Sequence, residues 1–167
     1  LLGPVCALNG VIDEERRPAF VNFGEVIESH LAAVTFVRNY AELRAPRRYG
    51  VVVTSAAGYP LDLTYYQTIK GLDGALGLLA DGGHLFIVSE CAEGLGSGEF
   101  ATAQHRLTEI GSASFRREVM EKERAEIDEW QTEILLRSLA AGEVGIYSGG
   151  LSDADHALTG VNRVNNM

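Results

Sequence analysis

The 167-residue chain is 46% apolar and 22% charged and carries a formal net charge of −9. That length supports one domain with a real core, since such a chain buries roughly two-thirds of its unfolded surface, and the apolar fraction excludes intrinsic disorder. No apolar run approaches the roughly 20 residues that span a bilayer, and the acidic balance argues against a nucleic-acid partner, so neither is expected.

Val5–Ile12 reads as a strand, Asp13–Pro18 as a turn and Ala19–Phe23 as a return strand, which together make an N-terminal hairpin. From Glu25 the period changes, with Val26, Ile27, His30, Val34 and Val37 at helical spacing before Pro46. Val51–Thr54 is a continuous β-branched run, the pattern of a strand buried on both faces. A loop over Ser55–Pro60 leads to Asp62 as an expected helix N-cap. The helix is predicted over Leu63–Leu79, with Leu63, Tyr66, Ile69, Leu72, Leu76 and Leu79 on its inner stripe.

Asp81-Gly82-Gly83 stops that helix, and His84–Ser89 is a second buried strand. A glycine-rich loop, Gly94–Gly98, precedes a helix near Glu99–Ile110. After a break at Gly111–Ser114, Phe115–Leu139 reads as one charged helix with Ile127, Trp130, Ile134 and Leu135 as its seam. Val144–Tyr147 is a third buried strand, and Asp153 is placed to cap a last helix. Strands and helices alternate with short loops. The expectation is therefore a single α/β domain over 1–167, with a layered, mainly parallel, Rossmann-like sheet flanked by helices.

Ligands of open α/β sheets bind outside the carboxyl ends of the strands. Two loops qualify: Ser55–Pro60, with Gly58, Tyr59 and Pro60, and Glu90–Gly96, with Glu90, Cys91 and Gly94. Their small residues let backbone N–H groups approach a ligand, or simply turn the chain. The second loop is not G-x-G-x-x-G, and Glu90 and Glu93 would repel a phosphate, so turning is the favoured reading. Cys91 is flanked by the same carboxylates, which raise rather than lower a thiol pKa, and is read as structural.

Only Lys70 and Lys122 are lysines among the 14 basic residues. Gln67 and Lys70 lie three residues apart and project from one side of a helix. They sit beside Tyr66 and Ile69 at the edge of the buried stripe, a position that can face a cleft. Two readings stand for the pair: a solvated helix surface, or a clamp in which a lysine attracts a carboxylate and a carboxamide orients it. Lys122 reads as solvated. Trp130, the only tryptophan, is either a core anchor or a cleft wall. Gly71, Gly74 and Gly77 recur every three residues. They mark close backbone packing, a break in the helix, or a face that docks a partner.

Histidines 30, 84, 105 and 156 show no ligand spacing, so no metal site is expected from this chain. Two cysteines, Cys6 and Cys91, are too few for a disulfide framework, and a reduced, cytoplasmic setting is expected. The start Leu1-Leu2-Gly3-Pro4 has no signal-peptide pattern and no initiator Met, which suggests a piece of something longer.

The run Val51–Asp62, then Tyr66-Gln67-Thr68-Ile69-Lys70, Gly82-Gly83 and Ser89–Gly96, resembles the C-terminal domain of the nickel-dependent lactate racemase family. Asp128-Glu129-Trp130-Gln131 resembles the family's later helix. The resemblance implies one domain of a two-domain isomerase that inverts the hydroxyl-bearing carbon of a small 2-hydroxy acid at a cleft between domains. It implies substrate-binding roles for Gln67, Lys70 and Trp130, and no catalytic residue in this stretch. It also implies a nickel pincer nucleotide held by an N-terminal domain that is not in this chain, so the isolated chain is expected to be inactive. Ala57 departs from the family, which usually has glycine there. The alternative from the residues alone is a non-catalytic binding or assembly module, and a stand-alone nucleotide-binding domain is a third.

Overall fold

A computed structural model describes residues 3–165; Leu1 and Leu2, at the chain start read above, lie outside them, as do Asn166 and Met167. Backbone contacts divide the chain into two compact units, one ending at Pro46 and one starting at Arg47.

In the first unit, β1 (Cys6–Ile12) and β2 (Pro18–Glu25) pair antiparallel, as the hairpin pattern predicts. Asp13 closes the turn, because its carboxylate accepts from the backbone N–H groups of Glu15 and Arg17. Those hydrogen bonds, Arg17's first, hold its carboxyl below the usual range. Helix α1 (Val26–Ala41) is capped by Glu25, whose carboxylate accepts from Ile27 and Glu28 N–H. Ser29 is the buried contact between α1 and the hairpin, accepting from Asn9 Nδ2 at 2.9 Å. A stack of Phe20, Phe36 and Tyr40 completes the small core. The opposite hairpin face, with Leu8, Val21 and Phe23, is exposed.

The second unit is built on a four-stranded parallel sheet in the order β3 (Tyr49–Ser55), β4 (Leu79–Val88), β5 (Gly142–Tyr147) and β6 (Asn162–Arg163). The α/β parallel class is as expected; β6 is a short edge strand that the sequence pattern did not announce. Val52, Leu85 and Val144 form one row across the sheet, and Thr54, Ile87 and Ile146 another. Helices α2 (Tyr65–Ala75) and α5 (Glu129–Ala141) pack on that face, contributing Ile69, Leu72 and Leu135 to the core. The alternate residues point the other way. Val51 is 58% exposed and Val53 63%, so β3 is buried on one face and not on both. A β-branched run records strand preference, and helices cover only one side of it.

Three further expectations are corrected. Thr64, not Asp62, caps α2, accepting from Gln67 N–H at 3.3 Å. α2 ends at Ala75, and Leu79 already belongs to β4, opposite Tyr49, so the apolar stripe runs out of a helix into a strand through one tight turn, Leu76–Leu78. Ser152, not Asp153, caps α6 (Asp153–Leu158).

The expected helix over Phe115–Leu139 is two helices. α3 (Gly98–Ile110), capped by Ser97, is followed by α4 (Ser112–Glu121), and the chain leaves helical geometry before α5. Lys122 bridges the break. Its ammonium pairs with the carboxylate of Glu129, which is 4% exposed and also accepts from Glu126 N–H at 3.1 Å. Lys122 is thus an ion-pair partner rather than a solvated surface group. The Glu129 hydrogen bond raises its pKa above the usual lysine value.

Of the three spaced glycines, only Gly71 is a close approach. A Cβ there would lie 2.8 Å from Ser55 O and 2.9 Å from Ile87 Cδ1, so α2 rests directly on β3 and β4. Gly74 and Gly77 have open space beside them. The row is therefore not one docking face, because its first member is filled by this chain. Among the described residues no helix is long and apolar enough to cross a membrane.

These contacts give three expected outcomes. Gly71→Ala lowers stability by about 1–3 kcal/mol through overpacking, whereas Gly74→Ala raises it by about 0.5–1 kcal/mol through helix propensity; urea denaturation reads both, and equal signs would refute the packing assignment. Lys122→Met strands a buried carboxylate and costs about 1–3 kcal/mol, and adding Glu129→Leu recovers part of it, a non-additivity that a double-mutant cycle detects. His156 is buried on α6 with neither ring nitrogen bonded among the described residues, and burial, aided by Arg163, lowers its pKa below 6.5. The unfolded chain then takes up a proton at about 6.5 that the folded one refuses, so stability falls as pH drops through and below that value. Urea midpoints at pH 7.5 and 5.5 should fall further apart for the native chain than for His156→Gln; equal separations would refute it.

Candidate functional site

The start of α2 is pinned by a second segment rather than by its own cap alone. Cys91 N–H donates to Asp62 O, Glu93 N–H to Leu63 O, Tyr65 N–H to Gly94 O and Tyr66 N–H to Leu95 O, at 2.8–2.9 Å. Beneath this ladder lies a buried polar cluster. Thr68 and Ser89 hydroxyls meet at 2.6 Å, and the Cys91 thiol is 3.4 Å from each. Cys91 is wholly buried, so it supports the loop and presents nothing to solvent.

Above the ladder, α2 presents Gln67 and Lys70 together. Lys70 Nζ donates to Gln67 Oε1 at 2.8 Å and lies 5.5 Å from the centre of the Tyr66 ring. Lys70 is exposed, not a buried cation. Trp130, from α5, makes a T-shaped contact with Tyr66, the centroids 6.0 Å apart and the planes at 89°. Trp130 is 46% exposed and so forms a wall rather than a core anchor. Its neighbour Gln131 is fully buried and donates through Nε2 to Tyr66 O at 2.9 Å, tying the two helices together at this point. The structure therefore brings Gln67, Lys70 and Trp130 into one cluster, with Tyr66 as the link.

Tyr66 is the residue of this cluster that spacing does not mark, because it falls on the inner stripe of the helix, where core residues stand. It is half-buried, with Phe100 edge-on at 5.3 Å. Burial, then the nearby charge of Asp128, raise its phenol pKa above the usual tyrosine value. Asp128 in turn accepts from Ser97 Oγ at 2.6 Å and sits at φ 62°, a left-handed turn just before α5. Nothing in spacing or composition marks Asp128, since its role comes from a contact 31 residues away in sequence.

The predicted loop residues do not form a single group. Gly58 and Glu90 line a crevice of about 200 Å³ at the carboxyl ends of β3, β4 and β5, together with Asp62 and Tyr147. Tyr59, 83% exposed, and Pro60, after a cis peptide bond, stand on the outer turn. Gly94 is used through its backbone carbonyl, under Tyr65. Ala57, where glycine is expected, holds φ 66°, a conformation that a Cβ disfavours. Among the described residues, no three His, Cys, Asp or Glu side chains converge as metal ligands would.

Comparisons with known proteins give one consistent picture. Residues 45–155 match the family described as the lactate racemase C-terminal domain. The lactate racemase of Thermoanaerobacterium thermosaccharolyticum is 37% identical over 93 residues, covering 56% of this chain and 22% of that protein. The lactate racemase of Lactiplantibacillus plantarum is 26% identical over 151 residues, covering 89% of this chain and 34% of that one. The chain thus matches about a third of one of these relatives and less of the other. The structure of the lactate racemase apoprotein from Thermoanaerobacterium thermosaccharolyticum superposes with a TM-score of 0.87 at 25% identity, over 96% of this chain and 38% of that chain. The matched stretch contains the ladder, α2 with its Gln67–Lys70 pair, and α5 with Trp130: this chain belongs to the lactate racemase C-terminal domain family.

Proposed function

We propose that this chain is the substrate-binding domain of a longer 2-hydroxy-acid racemase or epimerase. The observation that carries the reading is the Tyr66–Gln67–Lys70–Trp130 cluster, held on two packed helices in a domain of this family.

The cluster suits a small anion. Lys70 supplies a full positive charge, while Oε1 of Gln67 takes one of its three protons and leaves two for a carboxylate. The carboxamide N–H₂ of Gln67 adds a directional donor beside that charge. Tyr66 and Trp130 add aromatic surface beside that charge. In a domain with 23 acidic and 14 basic residues, such a point is a local attractor in an otherwise repelling field. Closing a partner domain over it would lower the dielectric and strengthen the pair.

Inverting the hydroxyl-bearing carbon calls for groups beyond this cluster. The nickel pincer nucleotide implied by the resemblance would supply that chemistry, and among the described residues no three metal-ligating side chains come together. We assign that cofactor to the longer protein's N-terminal domain, and to this chain the work of binding and orienting the substrate. A cytoplasmic setting agrees with two unpaired cysteines, one of them exposed.

In the full-length protein loaded with nickel cofactor, Lys70→Ala should reduce turnover of a 2-hydroxy acid by about 100-fold or more, as expected for loss of a positioning charge. Thermal unfolding should stay unchanged, because Lys70 is exposed. Unchanged kinetics would remove Lys70 from the site.

A further inference from the structure

The hairpin of the first unit is apolar on the side that no described residue covers. Side chains alternate between the two faces of a strand. The bare face takes Cys6, Leu8 and Ile12 from β1 and Val21 and Phe23 from β2. Leu8 stands opposite Phe23, and Leu8, Ile12, Val21 and Phe23 are 61–70% exposed. Glu25 ends this row, and its carboxylate is turned to the first turn of α1. The face that α1 covers is the more polar of the two, for it carries Asn9 and Asn22.

An antiparallel sheet with one face in water places its polar residues on that face. This hairpin inverts the pattern, in a chain with 23 acidic and 14 basic residues to draw on. The bare face is therefore built to lie under a second layer. That layer is apolar, because a polar group set against these side chains would lose its water and gain no partner.

A second copy and a further stretch of the same polypeptide are the two candidate occupants, and size decides between them. A strand of 7 residues, at about 3.4 Å per residue and with its neighbour about 4.8 Å away, gives a two-stranded face on the order of 250 Å². A stable dimer buries about 800 Å² per partner, so this face is too small to hold a second copy by itself. A tethered segment meets no such threshold, since the chain already keeps it at high effective concentration. The comparisons favour the same occupant. The matched family domain runs over residues 45–155, and the unit bearing the hairpin ends at Pro46, so the hairpin lies outside that domain. The superposition on the solved lactate racemase nevertheless covers 96% of this chain and so extends into the hairpin unit, while only 38% of that relative is matched.

We propose that the bare face of the β1–β2 hairpin is an internal contact of the longer protein, covered by an apolar layer of polypeptide outside residues 1–167. The first unit then contributes to a core that this chain holds only in part. This inference rests on the longer protein proposed above.

Photo-crosslinking of the full-length protein tests it. Phe23→p-benzoylphenylalanine keeps an aromatic side chain on the face and should crosslink within one polypeptide, to a peptide outside residues 1–167 identified by mass spectrometry. Cys6, exposed in this chain, gives a second readout with no substitution on the face. In the native full-length protein iodoacetamide should label it at least about tenfold more slowly than Met120→Cys, a standard at a position 74% exposed. A crosslink that joins two chains or lands only within residues 1–167, no crosslink, or Cys6 labelled as fast as the standard each overturns the proposal. Neither readout involves turnover, so these failures leave the Lys70 test standing. A mature polypeptide no longer than this chain overturns both readings.

Discussion

The backbone ladder between 62–66 and 91–95 is the constraint on which the rest of the second unit depends. A parallel sheet leaves the carboxyl ends of its strands as loops, and loops alone position side chains poorly. Here two of those loops hydrogen-bond to each other, over a buried Thr68–Ser89–Cys91 cluster that fills the space beneath. The first turn of α2 is thereby fixed to the end of β4 as well as to its own Thr64 cap. Gly71 removes the last steric obstacle, letting α2 lie against β3 and β4 one turn later. Gln67 and Lys70 inherit their positions from these two attachments.

The same logic extends to the opposite wall. Trp130 has to arrive from a helix that begins 63 residues after Tyr66, and three contacts set where α5 starts. Lys122 and Glu129 bridge the break after the preceding helix, Asp128 turns left-handed and binds Ser97, and Gln131 fastens α5 to the carbonyl of Tyr66. The chain's two lysines have opposite fates in this scheme. One neutralises a buried carboxylate within the scaffold, and the other remains exposed on α2 beside Gln67.

The sequence carried the layered α/β class, the hairpin and the Gln67–Lys70 pair, because each rests on local period or spacing. What it did not carry was decided by contacts between distant segments. Leu76 and Leu79 continue a helical stripe by spacing, yet Leu79 pairs with Tyr49 because strand pairing outweighs propensity at that point. Val51 and Val53 have the composition of buried strand residues, while coverage depends on where helices pack. Phe115–Leu139 reads as one helix because spacing alone does not register the Lys122–Glu129 pair that bridges its break. Asp128 and Tyr66 were invisible as partners for the same reason. Trp130 was named from a resemblance, and only the packing on Tyr66 gives its position a physical cause.

Trp130 has a further property that follows from its solitude. It is the chain's only indole, half in solvent and in T-shaped contact with the aromatic ring that carries Lys70. Indole emission from this domain therefore originates at the rim of the proposed anion site, and excitation at the red edge, where tyrosine does not absorb, isolates it from the six tyrosines. The molecule contains its own optical reporter, placed where occupancy and domain closure would alter its surroundings.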